Sequence, residues 1–138
     1  MNSKVKFMIS AAVIFVAMSI FASCKKNDTA DARDSYVGSY RTNWELTISG
    51  QNFSGTYTLV ISTSATNDKD IIMNNIDGTG ESVRATVSGN AFTIPQQTIE
   101  DLGISGSGTL NGNVINFSTQ ETQTGGTQVN ITQTATKQ

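Results

Sequence analysis

Ile104-Ser105-Gly106-Ser107-Gly108-Thr109-Leu110-Asn111-Gly112-Asn113-Val114-Ile115-Asn116-Phe117 decides the fold. Ile104, Gly106, Gly108 and Leu110 fall on one side of an extended chain, and Ser105, Ser107 and Thr109 on the other. A period of two marks a strand that buries one face. Beyond it, Ile115 and Phe117 resume the alternation, and Asn111-Gly112 stands between the two runs. That dipeptide predicts a tight hairpin, since both central residues of a type I′ turn need positive φ and these residue types adopt it at little cost.

The pattern extends in both directions. Tyr40, Thr42, Trp44, Leu46 and Ile48 alternate with Arg41, Asn43, Glu45 and Thr47, and Phe53, Gly55, Tyr57, Leu59 and Ile61 alternate with polar neighbours, Val60 excepted. Asp70 to Ile76 forms a third run of ambiguous phase; Val83, Ala85 and Val87 mark a fourth, Phe92 and Ile94 a fifth, Val129 and Ile131 an eighth. Ser49-Gly50, Asp77-Gly78, Ser88-Gly89-Asn90 and Gly125-Gly126 are turn signals, with polar loops at Asn67 to Asp70 and Glu100-Asp101. Connections this short exclude parallel crossovers, so the fold class is all-β, an antiparallel up-and-down meander of about eight strands. Closure into a barrel would remove both exposed edges; a β-sandwich is the alternative. Pro95, the one proline, cannot donate to a ladder, and Ile99 beyond it has the opposite parity to Ile94, which predicts a bulge or strand break between Pro95 and Gln97.

The N-terminus has a separate logic. Lys4 and Lys6 precede an apolar run from Phe7 to Phe21, broken by Ser10 and Ser19, which ends in Phe21-Ala22-Ser23-Cys24. The run has the length of a signal-peptide core and is short for a retained membrane span. The tetrapeptide resembles the lipobox of bacterial lipoproteins, which implies a signal peptide over residues 1–23, acylation of Cys24 with fatty chains of the palmitate kind, and firm anchoring in the cell outer membrane. Without Lys4 and Lys6, seven basic side chains face eleven acidic ones, a net charge of −4. That surface disfavours nucleic acid as a partner. The single cysteine leaves no disulfide for the domain. The absence of histidine removes the commonest general base and metal ligand.

Residues 24–35 read as a polar, lipid-anchored tether, and residues 36–138 as one domain large enough to fold on packing alone. Asp28-Thr29-Ala30 resembles the short acceptor of O-glycosylation in Bacteroidetes. Tyr36-Val37-Gly38-Ser39-Tyr40 resembles the Gly-x-Trp opening of the first lipocalin strand, with Tyr40 in the tryptophan's place. Val87 to Pro95 together with Ile104 to Asn113 resembles the small lipocalin-like, calycin-type lipoproteins of the Bacteroidetes envelope. The resemblance implies a lipocalin-like barrel in the cell envelope. One departure stands out: the lipocalin arginine of the last strand has no counterpart between Gly126 and Gln138, where only Lys137 is basic.

Eight strands enclose room for packed side chains or for one small ligand. The fillers by parity are Trp44, Leu46, Ile48, Tyr57, Leu59, Ile61, Phe92, Ile94, Leu110, Ile115 and Phe117. Two inward glycines, Gly106 and Gly108, place the candidate pocket beside them, lined by Trp44, Tyr57 and Phe117. Asp68, Asp70, Asn75, Asp77 and Glu81 are at most a loose likeness to a calcium loop, and a solvated turn is the simpler reading, so no metal and no cofactor is expected. No serine or carboxylate pair has the partners catalysis needs. The expected function is a noncatalytic module binding a small apolar molecule or a glycan; the alternative is a filled barrel docking another envelope component. Oligomeric state is not written in the pattern.

Overall fold

The structure, a computed structural model, describes residues 30–138. The apolar N-terminal run, Cys24 and Asp28-Thr29 lie outside the described residues. Eight strands follow in order: β1 (Gly38–Ile48), β2 (Gln51–Thr63), β3 (Asp70–Asn74), β4 (Ser82–Ser88), β5 (Ala91–Ile99), β6 (Leu102–Asn111), β7 (Val114–Gln123) and β8 (Gln128–Lys137). Each pairs antiparallel with its chain neighbours, and β1 pairs with β8 from Tyr40↔Lys137 to Leu46↔Ile131, which closes the barrel. The meander is therefore a closed, lipocalin-like barrel and not a two-sheet sandwich. Closure pairs β1 with β8, and the ladder thins only beside the short β3 and β4, where β2 meets β3 over Val60–Thr63 and β4 meets β5 over Thr86–Ser88.

The alternation sorts the side chains as expected. Tyr40, Leu59, Ile61, Val83, Ala85, Phe92, Ile94, Ile104, Ile115, Phe117 and Ala135 are buried inside. Val60, out of phase, is exposed on the outer face. In β3 the phase is resolved by Ile71 and Met73, both inward. Ile48 departs from its expected place among the fillers: it lies past the last β1–β8 pair and is 42% exposed. The outer face carries residues such as Arg41, Asn43, Glu45, Ser107 and Thr132, the reverse of the apolar-outward polarity of a membrane-spanning barrel.

One end of the barrel is shut. The residues expected as tether are ordered from Asp31 onward: Ala32–Ser35 form a single 3-10 turn, capped by the Asp31 carboxylate, which accepts from Arg33 N at 3.0 Å. Arg33 Nη1 donates to Asn67 O at 2.8 Å, Ser64 O at 3.3 Å and Asp70 O at 3.4 Å, tying this turn to the β2–β3 loop. Tyr36 is fully buried below it, edge-on to Phe92 with centroids 5.9 Å apart. Tyr40 Oη donates to Tyr36 O at 2.8 Å. Burial pushes the Tyr36 phenol up to about 12 and raises that of Tyr40. Lys137 Nζ sits 5.8 Å from the centroid of the Tyr40 ring, and a side chain at Gly38 would meet Lys137 Cε at 2.6 Å. Gly38 thus lets the lysine lie across the ring, so a Lys–Tyr pair makes the contact for which the last strand offers no arginine.

The Pro95 bulge is present. Ile94 pairs with Gly106 but Gln97 with Ile104, so β5 spends one residue more than β6. The β4–β5 ladder runs only from Ser88↔Ala91 to Thr86↔Thr93. Beyond it the Gln97 side chain stands in for a peptide group: Arg84 N donates to Gln97 Oε1 at 3.0 Å, and Gln97 Nε2 donates to Arg84 O at 2.7 Å. The β6–β7 hairpin differs in detail from expectation. Asn111 pairs with Val114, so the central residues are Gly112 and Asn113, and of these only Gly112 has positive φ (58°). That is the type II′ pattern; the type I′ pattern belongs to Ser49-Gly50, with φ of 51° and 78°.

Candidate functional site

The interior changes character along its axis. In the shut half, apolar side chains fill the space, with Phe92 and Phe117 centroids 6.1 Å apart. In the open half, inward positions carry Thr42, Tyr57, Thr119, Glu121 and Gln133. Asp77 joins them from the β3–β4 loop.

That loop is built to deliver Asp77. Asn75 and Asp77 both adopt left-handed φ, 62° and 55°, which Asn and Asp tolerate better than other side chains. Asn75 Nδ2 donates to Thr58 O at 2.7 Å and its Oδ1 accepts from Gly80 N at 2.8 Å; Ile76 N closes the loop on Glu81 O at 3.0 Å. Ile76 is buried as a plug, and Gly78 passes so close to Tyr57 that a side chain there would meet Tyr57 Cβ at 3.1 Å. Asp77 therefore turns into the barrel and not toward Glu81. Among the described residues no three acidic or thiol groups converge as a metal site. Asp70 is likewise no loop ligand: it is buried, accepting from Thr86 Oγ1 at 2.7 Å and Arg84 Nη1 at 3.1 Å.

Gln133, on β8, is the hub. Its Oε1 accepts from Tyr57 Oη at 2.5 Å; its Nε2 donates to Asp77 Oδ1 at 2.7 Å and to Thr119 Oγ1 at 3.2 Å. Thr119 Oγ1 in turn donates to Glu121 Oε1 at 3.4 Å. Burial, then a hydrogen bond and charge repulsion from the Asp77 carboxylate, push the Glu121 carboxyl up to about 8. Glu121 is therefore held as the neutral acid at neutral pH. Burial also raises the Tyr57 phenol well above its ordinary value, so it stays a donor. Thr42, opposite Tyr57 in the β1–β2 register, is fully buried; its Oγ1 comes near that phenol without hydrogen-bonding geometry and has no partner among the described residues.

Above this floor the rim is apolar. The Trp44 indole lies flat over its cross-strand partner Gly55, where any side chain would meet its Nε1 at 2.7 Å. Leu46 pairs with Phe53, which is 46% exposed. Glu121 lines a recess of about 330 Å3 with Leu102, Gln123, Thr127 and Val129. A larger recess of about 530 Å3 is framed by the β5–β6 turn and Gln123-Thr124 and touches none of the polar network.

The pocket expected beside Gly106 and Gly108 is not formed inside the barrel. At Gly108 the space is taken by Phe117 and Phe92, whose Cζ would lie 2.6 Å from a side chain there. At Gly106 a side chain would strike Ser118 O and lie 3.2 Å from Thr119 Cα, so this glycine permits a close approach of β7 backbone. The depression near Gly108 is on the outer surface, among Thr93, Ser107, Asn116 and Thr132. The five proposed lining residues therefore divide: Trp44 and Tyr57 stand at the mouth, Gly108 and Phe117 belong to the packed half, and Gly106 lies against β7 backbone. Thr42, Thr119, Glu121 and Gln133 had a partial signal in the sequence, namely polar side chains at inward parity on β1, β7 and β8; Asp77, in the β3–β4 loop, had none. No protein-family model matches the chain, and no curated protein matches it in sequence.

Proposed function

We propose that the protein is a small lipocalin-like lipoprotein of the Bacteroidetes envelope kind, anchored in the outer membrane through acylated Cys24, whose noncatalytic barrel binds a small apolar molecule or a glycan at its open mouth. The observation that carries this reading is the Gln133-centred network inside the barrel beneath the apolar rim of Trp44, Leu46 and Phe53. Polar groups placed at core positions contribute less to stability than apolar ones would, and binding sites are where such placements occur. Anchoring at Cys24 would hold the shut end, where the chain enters at Asp31, toward the membrane and leave the mouth at the far end of β1 facing away from it. Native mass spectrometry of the chain gently extracted from the membranes of an expressing bacterium tests the proposal. A bound small molecule that is lost on Gln133→Ala supports it; a bare protein at every extraction condition refutes it.

One observation favours a second reading. Ile48 and Phe53, together on the hairpin past the barrel wall, are 42% and 46% exposed, an apolar edge suited to docking another envelope component. In that case Phe53→Ser would release the chain from an envelope complex and leave any small-molecule content unchanged.

A further inference from the structure

We infer that the group seated on the floor of the mouth is a cation, an organic ammonium carried by an apolar body, held between Asp77 and Glu121. The inference rests on the ligand-binding reading and specifies its chemistry.

A count of donors and acceptors carries it. The Tyr57 hydroxyl proton goes to Gln133, both Gln133 amide protons go to Asp77 and Thr119, and the Thr119 proton goes to Glu121. The network thus spends its own donors internally. What remains open is the acceptor capacity of Asp77 Oδ2 and of the Glu121 carboxyl, beside the buried Thr42 hydroxyl, which has no partner and can accept or donate. An ammonium brings three donors and no acceptor, the complement of such a floor. Charge points the same way. The ion pairs among the described residues are Arg33–Asp31 and Arg84–Asp70, and neither reaches the mouth. The Asp77 charge and burial disfavour the ionised form of Glu121, and a cation seated beside both groups would relieve that repulsion in place of the proton. A divalent metal is less suited, since it wants more oxygen ligands than two carboxylates supply. The exposed Phe53 and half-buried Leu46 give an apolar body somewhere to lie.

The test uses the full chain in phosphatidylcholine nanodiscs, with empty discs as blank, and three probes of one size: cyclohexylammonium, cyclohexanol and cyclohexanecarboxylate. Trp44 is the one tryptophan, so its fluorescence reports on the mouth, and calorimetry gives the affinity. The ammonium should bind at least tenfold more tightly than the alcohol, and the carboxylate should not saturate. The titratable groups facing Glu121 are Asp77 from the β3–β4 loop and Tyr57 from β2, the latter protonated throughout. Ammonium affinity should therefore rise from pH 6 to pH 9 as Glu121 gives up its proton, while the alcohol stays level. Glu121→Gln should abolish that rise, and Asp77→Asn should abolish the preference for the ammonium at both pH values. If the alcohol binds as tightly as the ammonium with no pH dependence, the cation is wrong and ligand binding stands. Preference for the carboxylate, or displacement of the ammonium by micromolar calcium, also overturns the inference. If none of the three probes binds, both the inference and the ligand-binding reading fall.

Discussion

Replacing Glu121 with glutamine should make the protein more stable at neutral pH, in a pH window that the structure defines. In the unfolded chain this carboxyl titrates near its ordinary value of 4.5, whereas in the barrel it titrates at about 8. Between those values the native state holds a proton that the unfolded state has released, so wild-type stability is full below about 4.5 and declines as the pH climbs to about 8. Each pKa unit corresponds to about 1.4 kcal/mol, and a fully enclosed group would lose about 5 kcal/mol over the window. Glu121 opens onto water through the mouth recess, and screening on that side reduces the expected loss to about 2 kcal/mol. Glutamine keeps the acceptor for Thr119 and has no proton to lose. Urea unfolding followed by Trp44 fluorescence at intervals from pH 4.5 to 8.5 measures the difference directly, because other carboxylates cancel between the two proteins. The two curves should coincide at the acid end and diverge by about 2 kcal/mol near pH 8. Parallel curves, separated by less than about 0.3 kcal/mol throughout, would show that the folded barrel does not hold Glu121 protonated and would remove the physical basis of the mouth.

Gly106→Ala forces a methyl against β7 backbone at Ser118 O, and Gly108→Ala forces one against Phe117 Cβ and Asn116 O as well as the Phe92 ring; each should cost about 3 kcal/mol, read from thermal melts of the two variants. Gln97→Ala deprives Arg84 of two backbone hydrogen bonds where the ladder is broken, and chemical denaturation should register about 1 kcal/mol of lost stability. Thr42→Val removes a buried hydroxyl that has no partner and should stabilise by about 1 kcal/mol, whereas Tyr40→Phe removes a satisfied one and should destabilise by about the same. Mass spectrometry of the N-terminal peptide from an expressing bacterium should find Cys24 as first residue with a thioether-linked diacylglycerol, and Cys24→Ser should leave the membrane fraction; an unmodified peptide spanning Cys24 would exclude the anchor.

The strands were legible because a half-buried sheet writes its geometry into every second residue, and the Pro95 bulge was legible because Ile94 and Ile99 cannot share a parity without it. What Gln97 does there was not legible, since nothing local marks an amide that replaces a peptide group on another strand. The same limit explains Arg33. In sequence it belongs to a charged stretch, and its partners are main-chain carbonyls at Ser64, Asn67 and Asp70, which have no compositional signature. Gly106 and Gly108 were placed correctly on the inward face but misread as space. An inward glycine marks either a void or a close approach, and the rings of Phe92 and Phe117 that decide the matter come from two other strands. The site was half legible: Thr119, Glu121 and Gln133 break the apolar rule at core parity, while Asp77 sits in a turn whose inward fold depends on Asn75 reaching Thr58.

The two ends of the barrel treat buried polar groups in opposite ways, and this contrast argues that the mouth is kept for a purpose other than folding. At the shut end Tyr40 Oη, Tyr36 Oη, the Arg33 guanidinium and the Asp70 carboxylate all have partners. Removing any of them leaves another group unpaired. At the open end two acids repel each other and a threonine hydroxyl goes unsatisfied, so conservative substitutions there should raise stability. A barrel that only needed filling would take valine at Thr42 and an apolar residue at Glu121 with no penalty. Sites where local stability is given up are those shaped by what they bind. The opposite signs expected for Thr42→Val and Tyr40→Phe therefore test the functional reading as well as the packing: if both variants lose stability, the mouth polar groups are structural and the barrel is simply full.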